Sequence, residues 1–66
     1  MIVILNGFEH EVTPNTNLAD LVAKVSTAVS GIAVAVNDEV VPRHSWRATA
    51  LSSGARVEVL TAVQGG

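Results

Sequence analysis

The stretch Ala62-Val63-Gln64-Gly65-Gly66 holds the residue types best suited to a chemical task. Glycine packs nothing and loses more entropy on ordering than any other residue. Two in a row at a free end would fray, unless bare backbone is what the end is for. A Gly-Gly segment has no Cβ and can pass through a channel too narrow for any other pair. It would bring an α-carboxylate to a reagent held inside another protein. Val63 to Gly66 would project as free chain, and four extended residues reach roughly 13 Å. An idle, frayed end is the competing reading, and composition alone leaves the two open.

Elsewhere the chemical inventory is thin. There is no cysteine, which removes disulfides, thiolate nucleophiles and Cys-based zinc sites together. The carboxylates Glu9, Glu11, Asp20, Asp38, Glu39 and Glu58 are scattered over different stretches and read as solvated charges. His10 and His44 are the only imidazoles, and two without a third ligand make no metal site. His10 is expected at the margin of the core and His44 in an exposed loop beside Arg43. Ser45, Ser52 and Ser53 have no evident base, and no glycine-rich run precedes a helix to cradle phosphate. The chain is therefore not expected to be a catalyst. Trp46, the sole tryptophan, is read as a plug for the open end of the core, with a partner-facing role as the alternative.

The elements that must carry the tail follow from periodicity. "MIVIL" is β-branched and continuous, as a largely buried strand would be. Asn6-Gly7 between two apolar runs predicts a type I′ hairpin, because that turn needs positive φ at both central residues. The return strand "FEHEV" alternates, so Phe8, His10 and Val12 are expected to join Met1, Val3 and Leu5 on the core face. Pro14 ends it, since proline cannot donate to a ladder. "NLADLVAKVSTAVSG" has helical spacing at Leu18, Leu21, Val22, Val25 and Val29, with Asn17 as N-cap and Asp20 closing a capping box. The helix is expected to stop near Thr27 or Ala28, before Gly31. "IAVAVN" reads as a buried strand, "NDE" as a turn, and "VVPR" as a short edge strand ended by Pro42. "HSWRATALSSG" reads as a loop with one helical turn. "ARVEVLTAV" is a long last strand, ending near Ala62, with Val57 and Val59 facing one way and Arg56, Glu58 and Leu60 the other. Hairpin, helix, strand, short strand, loop and strand make an α+β roll: one main helix across a mixed sheet of four to five strands, with the first and last strands parallel in its middle.

Length and composition bound the rest. Sixty-six residues make one domain, here residues 1–62 followed by the tail 63–66, and 48% hydrophobic content supports a globular core. A net charge of −2 with four Lys and Arg gives no phosphate-tracking surface, so nucleic acid is not an expected partner. The opening apolar run is too short for a signal segment, and no run approaches a membrane span of about 20 residues. The expectation is a soluble cytoplasmic domain.

Taken together, "NG", "NLADLV", "VAVNDEVVPRHSW", "GARVEVLTAV" and "QGG" resemble the ThiS-type sulfur carriers of thiazole synthesis in thiamine biosynthesis, over the whole chain. The most specific parts are "VVPRHSW" and "RVEVLTAVQGG"; a bare Gly-Gly end is shared by all ubiquitin-like carriers. Ala55 departs from the pattern, which usually has Asp after that glycine. The resemblance implies a β-grasp, ubiquitin-like fold. It implies that an activating enzyme of the ubiquitin-activating type uses ATP and magnesium to adenylylate the Gly66 carboxylate, with Gly65, Gln64 and Val63 threading the partner's active site. Sulfur from a persulfide donor protein would convert Gly66 to a thiocarboxylate, which thiazole synthase would consume. The carrier would be a cosubstrate and would bind no cofactor of its own.

The sheet face away from the helix is expected to receive both enzymes, through Ile2, Ile4, Ala33, Ala35 and Leu60, with Arg56 and Glu58 at its rim. Three alternatives stay open: a molybdopterin synthase small subunit, which is generally longer and lacks the pattern at Val41 to Trp46; a protein modifier joined through Gly66; and a β-grasp interaction domain with an idle tail.

Overall fold

The computed structural model describes residues 1–25 and 31–61. The expected helix end at Thr27 or Ala28, the helix position Val29, the strand end at Ala62 and the tail 63–66 lie outside the described residues.

The elements are β1 (Ile2–Leu5), β2 (Phe8–Glu11), α1 (Leu18–Val25), β3 (Ile32–Val36), β4 (Glu39–Val40), a 3-10 turn at Arg43–Ser45, and β5 (Arg56–Thr61). They form one mixed sheet in the order β2-β1-β5-β3-β4. β1 and β5 run parallel at its centre and the other neighbours are antiparallel. This is the α+β roll read from the sequence.

The turns obey the backbone chemistry of their residues. Asn6 and Gly7 have φ of 49° and 85°, the type I′ signature, and the hairpin pairs Leu5 with Phe8 and Val3 with His10. A second turn of this kind lies at Asn37 and Asp38, with φ of 51° and 70°. It is a two-residue turn, not the three residues "NDE", so Val36 pairs with Glu39 and Ala35 with Val40. β4 is accordingly Glu39–Val40, and Pro42 begins the 3-10 turn rather than closing a longer strand.

Helix α1 starts on a reciprocal cap. Asn17 Oδ1 accepts from the Asp20 amide at 2.8 Å, and Asp20 Oδ2 accepts from the Asn17 amide at 3.5 Å. The two helical amides left over are taken by the loop after the 3-10 turn: Leu18 donates to Thr49 O at 2.9 Å and Ala19 to Trp46 O at 3.3 Å. The same loop is thus pinned over the core end of the helix.

The core lies between one sheet face, α1 and that loop. It contains Val3, Leu5, Val12, Leu18, Leu21, Val22, Val34, Trp46, Leu51, Ala55 and Val57. Trp46 is buried, as expected of a plug, and its indole Nε1 donates to Val41 O at 2.8 Å. Ala55, the departure from the family pattern, is 4% exposed, and its small side chain suits that buried place.

Two expectations about the core are corrected. Alternation places Phe8 and His10 on the core face, but all of β2 is exposed and Phe8 is 73% accessible. Their register with Leu5 and Val3 does put them on the helix side of the sheet. However, β2 is an edge strand with a neighbour on one side only, and none of its four residues is buried. Val25 likewise extends the apolar spacing of α1 but is exposed.

Candidate functional site

The face of the sheet away from α1 is open. Alternation fixes its members: Val3, Leu5, Val34 and Val57 point into the core, so Ile2, Ile4, Ala33, Ala35, Arg56, Glu58 and Leu60 point out. All seven residues expected on this face are there. Leu60 is 66% exposed, Ile2 and Ala33 are exposed, and Ile4 and Ala35 are half-buried by their neighbours.

Register resolves the face into parts. Ala33 lies opposite Leu60, Ala35 opposite Glu58 and also opposite Val40 on the other side. Ala33, Ala35, Val40 and Leu60 therefore form one apolar group, which runs from the level of Glu58 in the middle of β5 to Leu60 near its end. Ile4 lies beside Arg56, with Ile2 further along β1, so these two form a second group at the end where β5 begins. Arg56 and Glu58 stand on the central strand between the groups, not at a rim. The Arg56 guanidinium bonds Asp38 Oδ2 at 2.7 Å, and both side chains are more than half exposed, so the pair contributes at most about 1 kcal/mol. A shallow recess beside it is lined by Ile4, Gly7, Asp38, Arg56 and Glu58.

Val40 is the residue that sequence reasoning missed on this face. It is 73% exposed. The signal was available: a two-residue turn at Asn37-Asp38 puts Val40 across from Ala35, whereas a three-residue turn leaves it unplaced.

β5 is held on both edges by asparagines from the two tight turns. On the β1 side, Asn6 Oδ1 accepts from the Val59 amide at 2.8 Å and Asn6 Nδ2 donates to Val59 O at 3.2 Å. On the β3 side, Asn37 Oδ1 accepts from the Arg56 amide at 2.9 Å, while the Asn37 amide donates to Arg56 O at 2.7 Å. The sequence marks both residues only as turn formers.

The remaining candidates do not assemble. His10 and His44 are exposed and lie on different elements, and among the described residues no three His, Asp or Glu side chains come together. Arg43 is exposed in the 3-10 turn. Among the described residues no helix is long and apolar enough to cross a membrane. Val63, Gln64, Gly65 and Gly66 lie outside the described residues; β5, the strand that leads to them, is described to Thr61.

Known proteins share this geometry. The family model for ThiS matches residues 3–66. Among solved structures, the crystal structure of the thiamine biosynthesis protein ThiS from Geobacter metallireducens is similar over the whole of both chains, with 29% identity and a TM-score of 0.82. An NMR solution structure of a thiamine biosynthesis protein from the same organism is similar over all of this chain and 88% of that one, with 29% identity and a TM-score of 0.78. No curated protein sequence matches the chain.

Proposed function

The chain belongs to the ThiS family of small sulfur carriers, and from that membership we propose that it carries sulfur for thiazole formation on the carboxylate of Gly66. The observation that supports this most is the extent of the family match, which runs through residue 66 and so takes in "QGG" as well as the fold.

The chemistry follows from what a carboxylate lacks. It is a poor electrophile, because its leaving group would be oxide. An adenylating partner of the ubiquitin-activating type, using ATP and magnesium, joins a Gly66 carboxylate oxygen to the α-phosphorus and releases pyrophosphate. The acyl-adenylate then has AMP as its leaving group. The terminal sulfur of a cysteine-derived persulfide displaces AMP and forms an acyl-disulfide. A second thiol of the partner then attacks the cysteine sulfur, the S–S bond breaks, the thiocarboxylate leaves and the two partner sulfurs are left as a disulfide. Thiazole synthase accepts that sulfur. This chain contributes no acid, base or metal to these steps. It contributes a docking surface and a thread: the open sheet face for recognition, and Val63 to Gly66 for reach.

The exposed apolar group Ala33, Ala35, Val40 and Leu60 favours docking at the tail-proximal end of that face. Arg56 and Glu58, in its middle, would fix the orientation of the partner.

Intact mass of the protein isolated from its own cells tests the reading. A fraction heavier by one oxygen-to-sulfur exchange at the C-terminal residue is the expected result, and a homogeneous carboxylate under sulfur-replete growth would count against it. Rescue of a deletion strain by added thiazole separates this pathway from molybdopterin synthesis, which uses the same thiocarboxylate chemistry.

A further inference from the structure

The parallel ladder between β1 and β5 is short. It pairs Ile4 with Arg56 and Leu5 with Val57, and then the chain turns away at Asn6-Gly7 into β2. β5 continues to Thr61, paired with β3 along its other edge. The edge of β5 facing β1 would therefore lie open beyond Val57.

Asn6 closes it with its side chain. The carbonyls facing β1 come at every second residue, starting at Ala55 just before β5: they accept from Ile4 N at Ala55 (2.8 Å), from Asn6 N at Val57 (2.9 Å) and from Asn6 Nδ2 at Val59 (3.2 Å). The Val59 amide in turn donates to Asn6 Oδ1 at 2.8 Å, the place a next backbone carbonyl would take. A primary amide offers the same acceptor and donor as a peptide unit. The side chain thus continues the ladder by one step after the main chain has left it. Positive φ at residue 6 is what lets the two part company, and Asn tolerates it.

We propose that Asn6 is a positioning residue: it holds β5 in register at Val59, so that the end of the strand at Thr61 is a fixed base from which the reacting residue is delivered. The role rests on the carrier reading, because a fixed strand end matters only if residue 66 must arrive at a reacting centre. Misplacement by about 1 Å can cost on the order of a hundredfold in a positioned reaction. Asn6 lies outside the apolar docking group, so its effect falls on delivery rather than on docking.

Two variants test this. Asn6→Gly keeps the turn, since glycine adopts positive φ freely, and removes both side-chain bonds. Asn6→Asp keeps the shape and the acceptor but sets a carboxylate against the Val59 carbonyl. Amide exchange of the free protein is followed by NMR, and ATP–pyrophosphate exchange is measured with the adenylating enzyme. The expected result is Val59 exchange roughly tenfold faster relative to Val34 in Asn6→Gly, which loses the acceptor, and a smaller increase in Asn6→Asp, which keeps it. The expected kinetic signature is kcat lower by about tenfold or more with KM within about twofold. Unchanged Val59 protection in Asn6→Gly overturns the clamp. Faster Val59 exchange with kcat and KM as in the native chain overturns the positioning role alone. Absence of exchange activity with the native chain overturns the carrier reading and the positioning role with it, while the Val59 measurement still decides the clamp.

Discussion

Trp46 shows how much one side chain can hold in a core of this size. Its ring is 8% exposed among Leu18, Leu51 and their neighbours, and its indole satisfies the Val41 carbonyl at 2.8 Å. Trp46→Ala should cost about 3–5 kcal/mol of folding free energy, measured by urea denaturation. Trp46→Phe should cost less, about 1–3 kcal/mol, because it keeps most of the ring volume but leaves a carbonyl without its donor. Equal losses from the two variants would mean that the hydrogen bond contributes more than the packing. The burial of Trp46 was legible in the sequence, since a small domain with a single tryptophan has few ways to use it outside the core. The asparagine clamps on Val59 and Arg56 were not. Asn-Gly and Asn-Asp announce a turn through their backbone preferences, but the partner of each side chain depends on which strand the sheet brings alongside.

At the scale of elements, the central parallel pair of first and last strands and the register of the first hairpin were readable, because turns and alternation specify them. The register of β4, set by the two-residue turn Asn37-Asp38, and the extent of the covered core were not. "FEHEV" does alternate as a hairpin strand should, and the register with β1 is the one its two-residue turn dictates. What alternation does not contain is whether a strand lies at the sheet's edge or under cover. Phe8 and His10 sit on the helix side of the sheet but on its edge strand, and they are exposed. The consequence is measurable. Phe8→Ser should cost less than about 1 kcal/mol, as a surface change does, although Phe8 is the only phenylalanine. Leu18→Ala, at a position with no exposed surface, should cost about 2–5 kcal/mol. The same urea denaturation compares the two, and a loss at Phe8 approaching that at Leu18 would restore it to the core.

For the whole molecule, the two faces of the sheet differ: one packs under the helix and the other is exposed. The covered face holds the core. The open face carries the exposed apolar group around Leu60 at the end from which the chain continues toward residue 66. Leu60→Glu should leave the urea midpoint close to that of the native chain, since the side chain is already 66% exposed. It should weaken binding to the adenylating enzyme by about tenfold or more, read by calorimetry, because a buried interface position would then hold an unpaired charge. Unchanged affinity would move the docking surface elsewhere. The membership of this face was legible in the sequence, apart from Val40. Its division into two apolar groups around Arg56 was not, because that depends on the parallel offset between β1 and β5.

The central claim is that the terminal carboxylate of Gly66 is the reacting group, and removal of that one residue tests it most directly. Gly66 has no side chain, so its loss takes away no side-chain contact, and the melting temperature should stay within about a degree or two. The new carboxylate at Gly65 would stop about 3.4 Å short of the nucleotide. Replacing Gly65 or Gly66 with Val should do nearly as much harm by placing a branched Cβ in the channel. The assay is ATP–pyrophosphate exchange with the adenylating enzyme. The expected result is loss of exchange by about a hundredfold or more in a protein that melts as the native chain does. Robust exchange by the truncated protein would contradict the carrier mechanism and leave a β-grasp interaction domain in its place.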